Sequence, residues 1–361
     1  MKITSIVFLI PTLGVGGAEK NVVMLANYFA CKGVQVEVWY CTNPDALSSD
    51  LDPRVKCSSF NLSRMARSLL PMIRLMRQRS VTLFIANLWP FNLLAWVAFR
   101  FSHPSNRLVL VEHIHLSSGI TQSGFIERFA ARVFHFCASL ISTEFVAVSQ
   151  GVANDLVSQF SVSAHYVKVI YNPVLTQYRL EKTHTGYRLN EPLRILAVGN
   201  LKPQKDYVTL LQALSFLDVR GFSFECRIAG EGPERHVIEH QIARLSLQSR
   251  VALLGSVRDT TDLYHWSDVY VLSSRWEGLG NSLVEALSFG CRVVSTDCNS
   301  GPREVLGYGK FGVLCSVGDP EAIASGILKS LELSIDCQSL CSHLKQFSVN
   351  YAGEEYLRLA Q

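Results

Sequence analysis

The stretch Ser273–Gly290, SSRWEGLGNSLVEALSFG, carries the most informative pattern in the sequence. Two carboxylates, Glu277 and Glu285, are separated by seven residues that include two glycines, which argues against one continuous helix. We therefore place Glu277 in the loop after a strand, Val269–Ser273, and Glu285 inside the helix that follows. A helix start offers N–H groups to a diphosphate, and nearby carboxylates accept hydrogen bonds from sugar hydroxyls. The segment predicts a nucleotide-sugar site; two solvated acids on a capped surface helix are the alternative.

Short apolar runs alternate with helical patterns along the chain, which predicts strands joined by helices in parallel sheets. The polar stretch between Asn172 and Pro192 lacks a periodic pattern and is the predicted domain boundary. Two such domains facing each other would enclose a ligand cleft beyond their strand ends. The predicted strands are Ile3–Ile10, Val34–Tyr40, Leu83–Ile85, Leu108–Glu112, Phe145–Val148, Leu193–Val198, Ser223–Ala229, Val251–Leu254, Val269–Leu272 and Arg292–Thr296.

Composition limits the class of protein. The 361 residues exceed one ordinary domain, so two domains of roughly 150 to 200 residues are expected. Hydrophobic residues make up 48%, yet no run reaches the roughly 18 to 20 apolar residues that span a bilayer. We therefore assign Ile3–Ile10 and Leu88–Phe99 to the core rather than to a signal peptide or an anchor. The ten cysteines contain no CxxC pair, which favours reduced cytosolic thiols and argues against zinc.

Charge is uneven along the chain. Up to Asn172 there are 15 Lys and Arg against 9 Asp and Glu, whereas the remainder has 19 against 21. The densest basic segment, Phe60–Arg79, interleaves arginines with long apolar side chains, which suits the interface of an anionic membrane. Nucleic acid is a weaker alternative because aromatic residues are not interleaved there. A solvated helix packed on its own domain remains open. The arginines concerned are Arg64, Arg67, Arg74, Arg77 and Arg79.

Three other motifs point to different chemistry. The glycines from Gly14 to Gly17 resemble a dinucleotide fingerprint, but Glu19 replaces its third glycine and the next strand lacks a ribose-binding acid. An NAD enzyme is therefore disfavoured. Asp50-Leu51-Asp52 has the form of a metal-binding DxD, but it lies before Pro53 with no strand to aim it, so we predict a turn. His113 and His115 share one face of a strand, but no third metal ligand follows.

The longer stretch 273–306 contains an acid, seven residues, a second acid, a small-residue helix, a glycine turn and a buried strand. This pattern resembles the C-terminal signature of the retaining GT-B glycosyltransferases of family four, and the resemblance extends over nearly the whole chain. It implies an α/β fold of GT-B type, with two Rossmann-like domains whose parallel sheets face each other across a cleft. Residues 1–180 would bind the acceptor, residues 181–345 the nucleotide sugar, and residues 346–361 would form a helix crossing back to the first domain.

The resemblance also implies roles for single residues. His113, Lys205 and Glu277 would be catalytic, with His115 a less favoured alternative to His113. The family usually carries an arginine at the position of Asn200, so an amide replaces one of two phosphate-binding cations here, and Lys202 could supply charge. The implied substrate-binding residues are Gly16, Gly17, Glu19, Gly199, Asn200, Gly230, Glu231, Val257, Gly278, Leu279 and Glu285.

The implied reaction moves a hexosyl or N-acetylhexosaminyl group from a UDP- or GDP-sugar to a lipid-linked glycan, with retention of configuration. By resemblance, the product belongs to surface polysaccharide biosynthesis (O-antigen, capsule or exopolysaccharide), and no cofactor or metal takes part. The expected location is cytoplasmic, peripheral on the inner face of the cytoplasmic membrane, with no nucleic-acid partner. A non-catalytic subunit that binds nucleotide sugar or lipid, and an epimerase of the same fold, are the alternatives.

Overall fold

The structure is a computed structural model, and it describes residues 4–42, 45–60, 62, 65–78, 83–102, 107–121, 124–141, 143–176 and 191–359. The chain divides into two compact units. The first unit comprises Met1–Thr176 and Gln346–Gln361, and the second comprises Gln177–Lys345. Each unit is built on one sheet whose paired strands run parallel, which confirms the predicted α/β fold class.

The first unit has a seven-stranded sheet with the order β3-β2-β1-β4-β5-β6-β7. Its strands are β1 (Ser5–Ile10), β2 (Gln35–Tyr40), β3 (Lys56–Ser59), β4 (Leu83–Asn87), β5 (Arg107–Glu112), β6 (Glu144–Ala147) and β7 (Val167–Val169). Its helices before the boundary are α1 (Gly17–Cys31), α2 (Leu69–Gln78), α3 (Phe91–Ser102), α4 (Leu116–Gly119), α5 (Phe125–Leu140) and α6 (Gln150–Phe160).

The second unit has a six-stranded sheet with the order β10-β9-β8-β11-β12-β13. Its strands are β8 (Leu193–Val198), β9 (Phe224–Ala229), β10 (Val251–Gly255), β11 (Val269–Leu272), β12 (Arg292–Thr296) and β13 (Val313–Cys315). Its helices are α7 (Tyr207–Val219), α8 (Arg235–Arg244), α9 (Thr261–Trp266), α10 (Asn281–Ser288), α11 (Pro302–Val305), α12 (Pro320–Glu332) and α13 (Cys337–Leu344).

The central strands are buried on both faces, as parallel sheets covered by helices require. Every residue of β4 and β11 is buried, and their sequences LFIAN and VYVL are almost wholly apolar. Helices α7 and α12 pack together and supply leucines and isoleucines to the core of the second unit. This burial explains why continuous apolar runs, rather than alternating ones, predict these strands.

The C-terminal helix α14 (Val349–Leu359) is part of the first unit and packs on α1. Tyr28 Oη of α1 donates a 2.9 Å hydrogen bond to Glu354 Oε1. Gly353 lies against the same tyrosine ring: a Cβ added there would be 2.2 Å from Tyr28 Cε1. The glycine therefore allows the two helices to approach closely.

The basic segment predicted at Phe60–Arg79 forms α2 and the short turn before it. Met72 and Met76 are buried, and α2 packs on α3, whereas Arg67, Arg74 and Arg77 are exposed. Arg64 and Arg79 lie outside the described residues. In the described part of the chain, no helix combines the length and apolar character that crossing a bilayer needs.

Candidate functional site

In the second unit, the side chains of the candidate site lie at the point where the strand order of the sheet changes direction. The chain builds outward from β8 to β9 and β10, and then returns to the other side of β8 with β11. In open parallel sheets, ligands bind beyond the carboxyl ends of the strands at such a point. Lys205 follows β8 and Glu277 follows β11, so both lie at this position.

Lys205 and Glu277 form a tight ion pair. Lys205 Nζ is 2.6 Å from Glu277 Oε1, and the two side chains are only 16% and 8% exposed. Ser274 Oγ donates a second bond, also 2.6 Å, to the same oxygen. Since an ammonium group has three N–H donors, Lys205 can bind Glu277 and still donate to a phosphate oxygen.

Backbone contacts hold the loops that carry this pair. Gln204 Nε2 donates to the Trp276 carbonyl at 2.8 Å, and Ser273 Oγ donates to the Lys205 carbonyl at 2.7 Å. From the loop after β12, Ser300 Oγ donates to the Glu277 carbonyl at 2.6 Å. Three loops are therefore fixed together, which preorganises Lys205 and Glu277 for binding charge.

The helices after β8 and β11 differ at their N-termini. Asp206 caps α7, accepting a bond from the Thr209 amide, and its other oxygen accepts from Arg275 Nε at 2.9 Å. Helix α10 begins after Gly280, which has φ +88° and makes no side-chain cap. Because a capping carboxylate opposes an anion, α10 is the better diphosphate site of the two.

Glu285 is held one turn inside α10 by a tyrosine from another helix. Tyr264 Oη donates a 2.7 Å hydrogen bond to Glu285 Oε2. The Tyr264 ring is stacked on Phe289 with centroids 5.2 Å apart. Burial and the neighbouring Glu285 raise the pKa of Tyr264 well above its ordinary value, so the phenol remains a donor. It fixes the orientation of the Glu285 carboxylate near the start of α10.

Two backbone loops after β8 and β9 pass unusually close to each other. A Cβ at Gly230 would lie 1.9 Å from the Gly199 carbonyl oxygen, so this position requires glycine. Glu231 Oε2 is paired with Arg235 at the exposed start of α8, and Val257 is half-buried after β10. These residues frame the loops but bring no further side-chain charge to Lys205 and Glu277.

The predicted residues Gly278 and Leu279 lie in the loop between Glu277 and α10. The Leu279 side chain is 1% exposed and belongs to the core, so only its backbone can contact a ligand. A Cβ at Gly301 would lie 2.3 Å from the Leu279 carbonyl oxygen, at φ +86°. This approach ties the loop to α11.

In the first unit, the carboxylate of Glu19 covers the glycine turn after β1. Gly16 precedes α1, and Gly17 is its first residue. Glu19 folds back over the turn: a Cβ at Gly16 would lie 2.2 Å from Glu19 Oε2, and Thr12 Oγ1 donates to Glu19 Oε1 at 3.3 Å. A carboxylate at this helix start disfavours a phosphate and favours a hydroxyl-bearing ligand.

His113 follows β5 and is oriented by Asn87 at the end of β4. Asn87 Nδ2 faces the carbonyls of Leu9 and Ile85, so its Oδ1 faces His113 Nε2 at 3.0 Å. The Nε2 atom therefore carries the proton, and Nδ1 is the acceptor. Burial lowers the pKa of His113 to about 4, against a smaller opposing effect of Asn172, so the ring is neutral at pH 7.

His115 serves the local structure. Its Nδ1 is 2.9 Å from Ser118 Oγ and 3.7 Å from Asp155 Oδ2. Asp155 also accepts from the Ser117 amide at 2.9 Å. These bonds fix the start of α4, which favours His113 over His115 as the residue that meets a ligand.

Several contributing residues were not predicted from the sequence: Asn87, Tyr264, Ser274 and Arg275. Asn87, Tyr264 and Arg275 act through partners at least 21 residues away in the sequence, so local patterns contain no signal for the first two. Ser274 and Arg275 lie inside the decisive stretch; Ser274 binds Glu277 three residues later, whereas the partner of Arg275 is the distant Asp206. Asp52 of the predicted DxD turn binds Arg54. Among the described residues, no three His, Cys, Asp or Glu side chains are placed to hold a metal ion.

Two family models match the chain and divide it between them. The model described as Glycosyltransferase Family 4 matches residues 15–178. The model described as Glycosyl transferases group 1 matches residues 181–347. Together they cover both units apart from short terminal segments and the join.

Two Campylobacter jejuni enzymes are similar over most of their length. The N-acetylgalactosamine-N,N'-diacetylbacillosaminyl-diphospho-undecaprenol 4-alpha-N-acetylgalactosaminyltransferase is 27% identical over 334 residues, covering 89% of this chain and 88% of its own. The GalNAc-alpha-(1->4)-GalNAc-alpha-(1->3)-diNAcBac-PP-undecaprenol alpha-1,4-N-acetyl-D-galactosaminyltransferase is 26% identical over 372 residues, covering 98% and 97%. Among solved structures, Anabaena HepE in complex with UDP-glucose has a TM-score of 0.79 at 20% identity, covering 98% of each chain. That likeness supports the fold.

Proposed function

Because this chain belongs to the family 4, group 1 glycosyltransferases, whose models match its two units, we propose that it uses a nucleoside-diphosphate sugar and a lipid-linked glycan. The group transferred is a hexosyl or N-acetylhexosaminyl residue, and its anomeric configuration is retained. The observation that carries the proposal is the buried Lys205–Glu277 pair at the switch point of the second sheet. It combines a phosphate-binding cation with a hydroxyl-binding carboxylate at one place.

Cleavage of the donor puts negative charge on the leaving diphosphate, and fixed N–H donors stabilise that charge. Lys205 supplies such donors, and Glu277 holds its ammonium group in place. The uncapped start of α10 adds backbone N–H groups. Asn200 donates an amide hydrogen bond in place of the arginine usual in the family. No divalent cation is needed in this scheme.

The two carboxylates take different parts of the donor. Glu285, held by Tyr264, accepts from the ribose hydroxyls. Glu277 uses Oε1 for Lys205 and Ser274, which leaves Oε2 for sugar hydroxyls or for the positive charge that develops on the sugar. We assign no covalent nucleophile. The leaving phosphate takes the acceptor proton, in a reaction on one face of the sugar, and retention follows.

The names of the two Campylobacter relatives describe undecaprenol diphosphate-linked glycans and N-acetylgalactosaminyl transfer. We therefore propose a polyprenyl-diphosphate-linked glycan as acceptor and UDP-N-acetylgalactosamine as the first donor to test. An acceptor of this kind places the enzyme at the cytoplasmic face of a membrane, where the exposed arginines of α2 meet anionic lipid. The pathway would be the synthesis of a surface polysaccharide.

The test is product analysis with a panel of UDP- and GDP-sugars against a polyprenyl-diphosphate-linked disaccharide. We expect transfer from one donor, an α-linked product from an α-linked donor, and full activity in EDTA. A product of inverted configuration would exclude retention, and a strict need for a divalent metal would exclude the scheme based on Lys205.

The same assay separates the enzyme from a non-catalytic subunit, for which Asn200 is the motivating feature. A subunit would bind UDP without hydrolysing or transferring any sugar. Conversion of the donor to its epimer, without transfer, would favour an epimerase instead. Donor hydrolysis in the absence of acceptor is expected from the transferase at a low rate.

A further inference from the structure

Helix α5 of the first unit presents an apolar face to solvent along its whole length. Five large side chains on it are between 46% and 82% exposed: Phe125, Ile126, Phe129, Phe136 and Leu140. At 3.6 residues per turn they fall within an arc of about 100°, along roughly 24 Å of helix. The opposite face is buried, so α5 is apolar on both sides. A contiguous exposed patch of this kind marks an interaction surface.

The helices beside α5 extend this surface. Helices α2, α3 and α5 connect β3 to β4, β4 to β5 and β5 to β6, so right-handed crossovers place them on one face of the sheet. Helix α2 packs on α3, and Trp96 of α3 packs edge-on against Phe134 of α5. Leu70 and Phe101, 65% and 60% exposed, add apolar area to the same layer.

The charge of this layer is almost all positive. Among the described residues 65–78, 91–102 and 125–140 there is one carboxylate, Glu127, and it accepts a hydrogen bond from Trp89 Nε1 at 3.4 Å. The arginines are Arg67, Arg74, Arg77, Arg100, Arg128 and Arg132, and all six are exposed. Exposed apolar residues bordered by arginines suit an anionic lipid surface.

The apolar face of α5 ends next to a cavity that is lined mainly by basic side chains. Ile141, the residue after α5, lines a cavity of about 500 Å³ together with three cations, Arg100, Arg107 and Lys168, and one carboxylate, Glu144. This cavity lies at the amino ends of β5 to β7, whereas His113 follows the carboxyl end of β5. It is therefore at the opposite end of the strands from His113, and its three cations outnumber its one carboxylate, which favours an anionic group.

We propose that the exposed face of α5 enters the headgroup region of an anionic bilayer, with the arginines of α2, α3 and α5 on lipid phosphates. This deepens the proposed function and rests on it, since a lipid-linked acceptor brings the enzyme to a membrane. A second copy of the chain is a poorer occupant. If two copies met through this layer, the arginines of one copy would face and repel those of the other. Among the described residues of α2, α3 and α5, Glu127 is the one carboxylate that could offset this repulsion.

The experiment measures partition of the full chain onto vesicles of phosphatidylglycerol and phosphatidylcholine. The variant Ile126→Ser/Phe129→Ser/Phe136→Ser removes apolar area without changing charge. Its matched control, Val219→Ser/Phe222→Ser/Val237→Ser, removes side chains of the second unit that are 84%, 40% and 48% exposed. We expect the α5 variant to lose at least about tenfold in partition and the control to bind as the wild type does. Arg128→Gln/Arg132→Gln should reduce the preference for anionic over neutral vesicles.

Equal partition of the α5 variant and the wild type, or no binding by the wild type, would overturn the proposal. Concentration-dependent dimers in sedimentation velocity, lost in the α5 variant while vesicle binding persists, would assign the face to a second copy. Partition onto vesicles is measured in the absence of a sugar donor, so it does not depend on transferase activity. A failure of the proposed function, seen as no transfer from any donor, is therefore distinct from a failure of this surface.

Discussion

At the residue scale, two candidate residues of the second unit and one of the first are each held by a neutral partner. Ser274 holds Glu277, Tyr264 holds Glu285, and Asn87 fixes the proton of His113. The sequence pointed to these three candidate residues, because their residue types and spacing follow the family pattern. It did not predict the neutral partners, because a serine, a tyrosine or an asparagine has no distinctive pattern until the fold brings it to the site.

Glu285→Gln is expected to reduce kcat/KM for the nucleotide sugar by about ten- to a hundredfold. The amide keeps the size of the side chain but weakens its bonds to ribose hydroxyls, since charge-assisted bonds are about twice as strong as neutral ones. Steady-state kinetics with varied donor measures the effect. Tyr264→Phe removes the 2.7 Å bond to Glu285 Oε2 and a longer, 3.4 Å contact with the Ser282 carbonyl, and it should cost less. Unchanged donor kinetics in Glu285→Gln would remove this residue from the site.

Lys205→Met is expected to abolish most turnover and also to lower stability. Breaking a buried ion pair from one side costs about 3 to 5 kcal/mol, because Glu277 is left buried without its cation. The double variant Lys205→Met/Glu277→Gln removes both charges, so it should recover much of the lost stability without recovering activity. Thermal unfolding and turnover, measured in parallel, separate the two effects. Full activity of the double variant would exclude a catalytic role for the pair, whereas Asn200→Arg should keep or raise turnover.

The lowered pKa of His113 predicts that the stability of the protein depends on pH. Its pKa is about 4 in the folded chain, below the ordinary value of 6.5, because burial disfavours the charged ring. Between these two pH values the unfolded chain therefore binds more protons at His113 than the folded chain does. The contribution of His113 to the free energy of unfolding is present above pH 6.5 and is lost as the pH falls towards 4. The loss amounts to at most about 3 kcal/mol. Urea unfolding of wild type and His113→Asn from pH 7 to 4.5 measures it; parallel curves would exclude His113 as the cause.

At the element scale, the sequence predicted the central strands well and the edges poorly. Val269–Leu272 and Arg292–Thr296 are strands with the predicted bounds. The unpredicted strands β3, β7 and β13 have three or four residues each and lie at the sheet edges. Their sequences, KCSS, VKV and VLC, are too short to form an apolar run or a periodic pattern. An edge strand has one neighbour and buries little, so tertiary pairing rather than composition determines it.

The close contact between α1 and α14 predicts that adding one methyl group at Gly353 lowers the stability of the protein. Gly353→Ala places a Cβ 2.2 Å from the Tyr28 ring, so one helix must shift, at a cost of about 1 to 3 kcal/mol. Tyr28→Phe, which loses only the bond to Glu354, should cost about 1 kcal/mol. Chemical unfolding of the two variants ranks them. A neutral Gly353→Ala would show that the helices are loosely packed.

At the scale of the whole molecule, the first unit is built from two separate parts of the chain. The Val174 and Leu175 amides both donate to the Phe347 carbonyl, and Phe347 is fully buried. Segment 346–361 thus completes a unit that begins at residue 1, whereas the second unit is one continuous stretch. The functional roles predicted for these parts, acceptor binding and donor binding, stay predictions.

A chain ending at Lys345 is expected to lose the stability of the first unit and to keep the second. Without α14, the outer face of α1 and the ring of Tyr28 are exposed. Limited proteolysis followed by mass spectrometry should then cut within residues 1–176 and spare residues 191–345. Protection of both regions would show that the first unit does not depend on its C-terminal part.

This interrupted connectivity has a consequence for biosynthesis. On the ribosome, the second unit is translated completely before α14 emerges, so it can reach its native state while the first is still waiting for its final helix. Residues 4–176, which are translated before the second unit, would therefore complete their fold after it. During that interval the apolar side of α1 and the exposed apolar face of α5 are both accessible to chaperones, and a stop codon before α14 would leave the first unit incomplete.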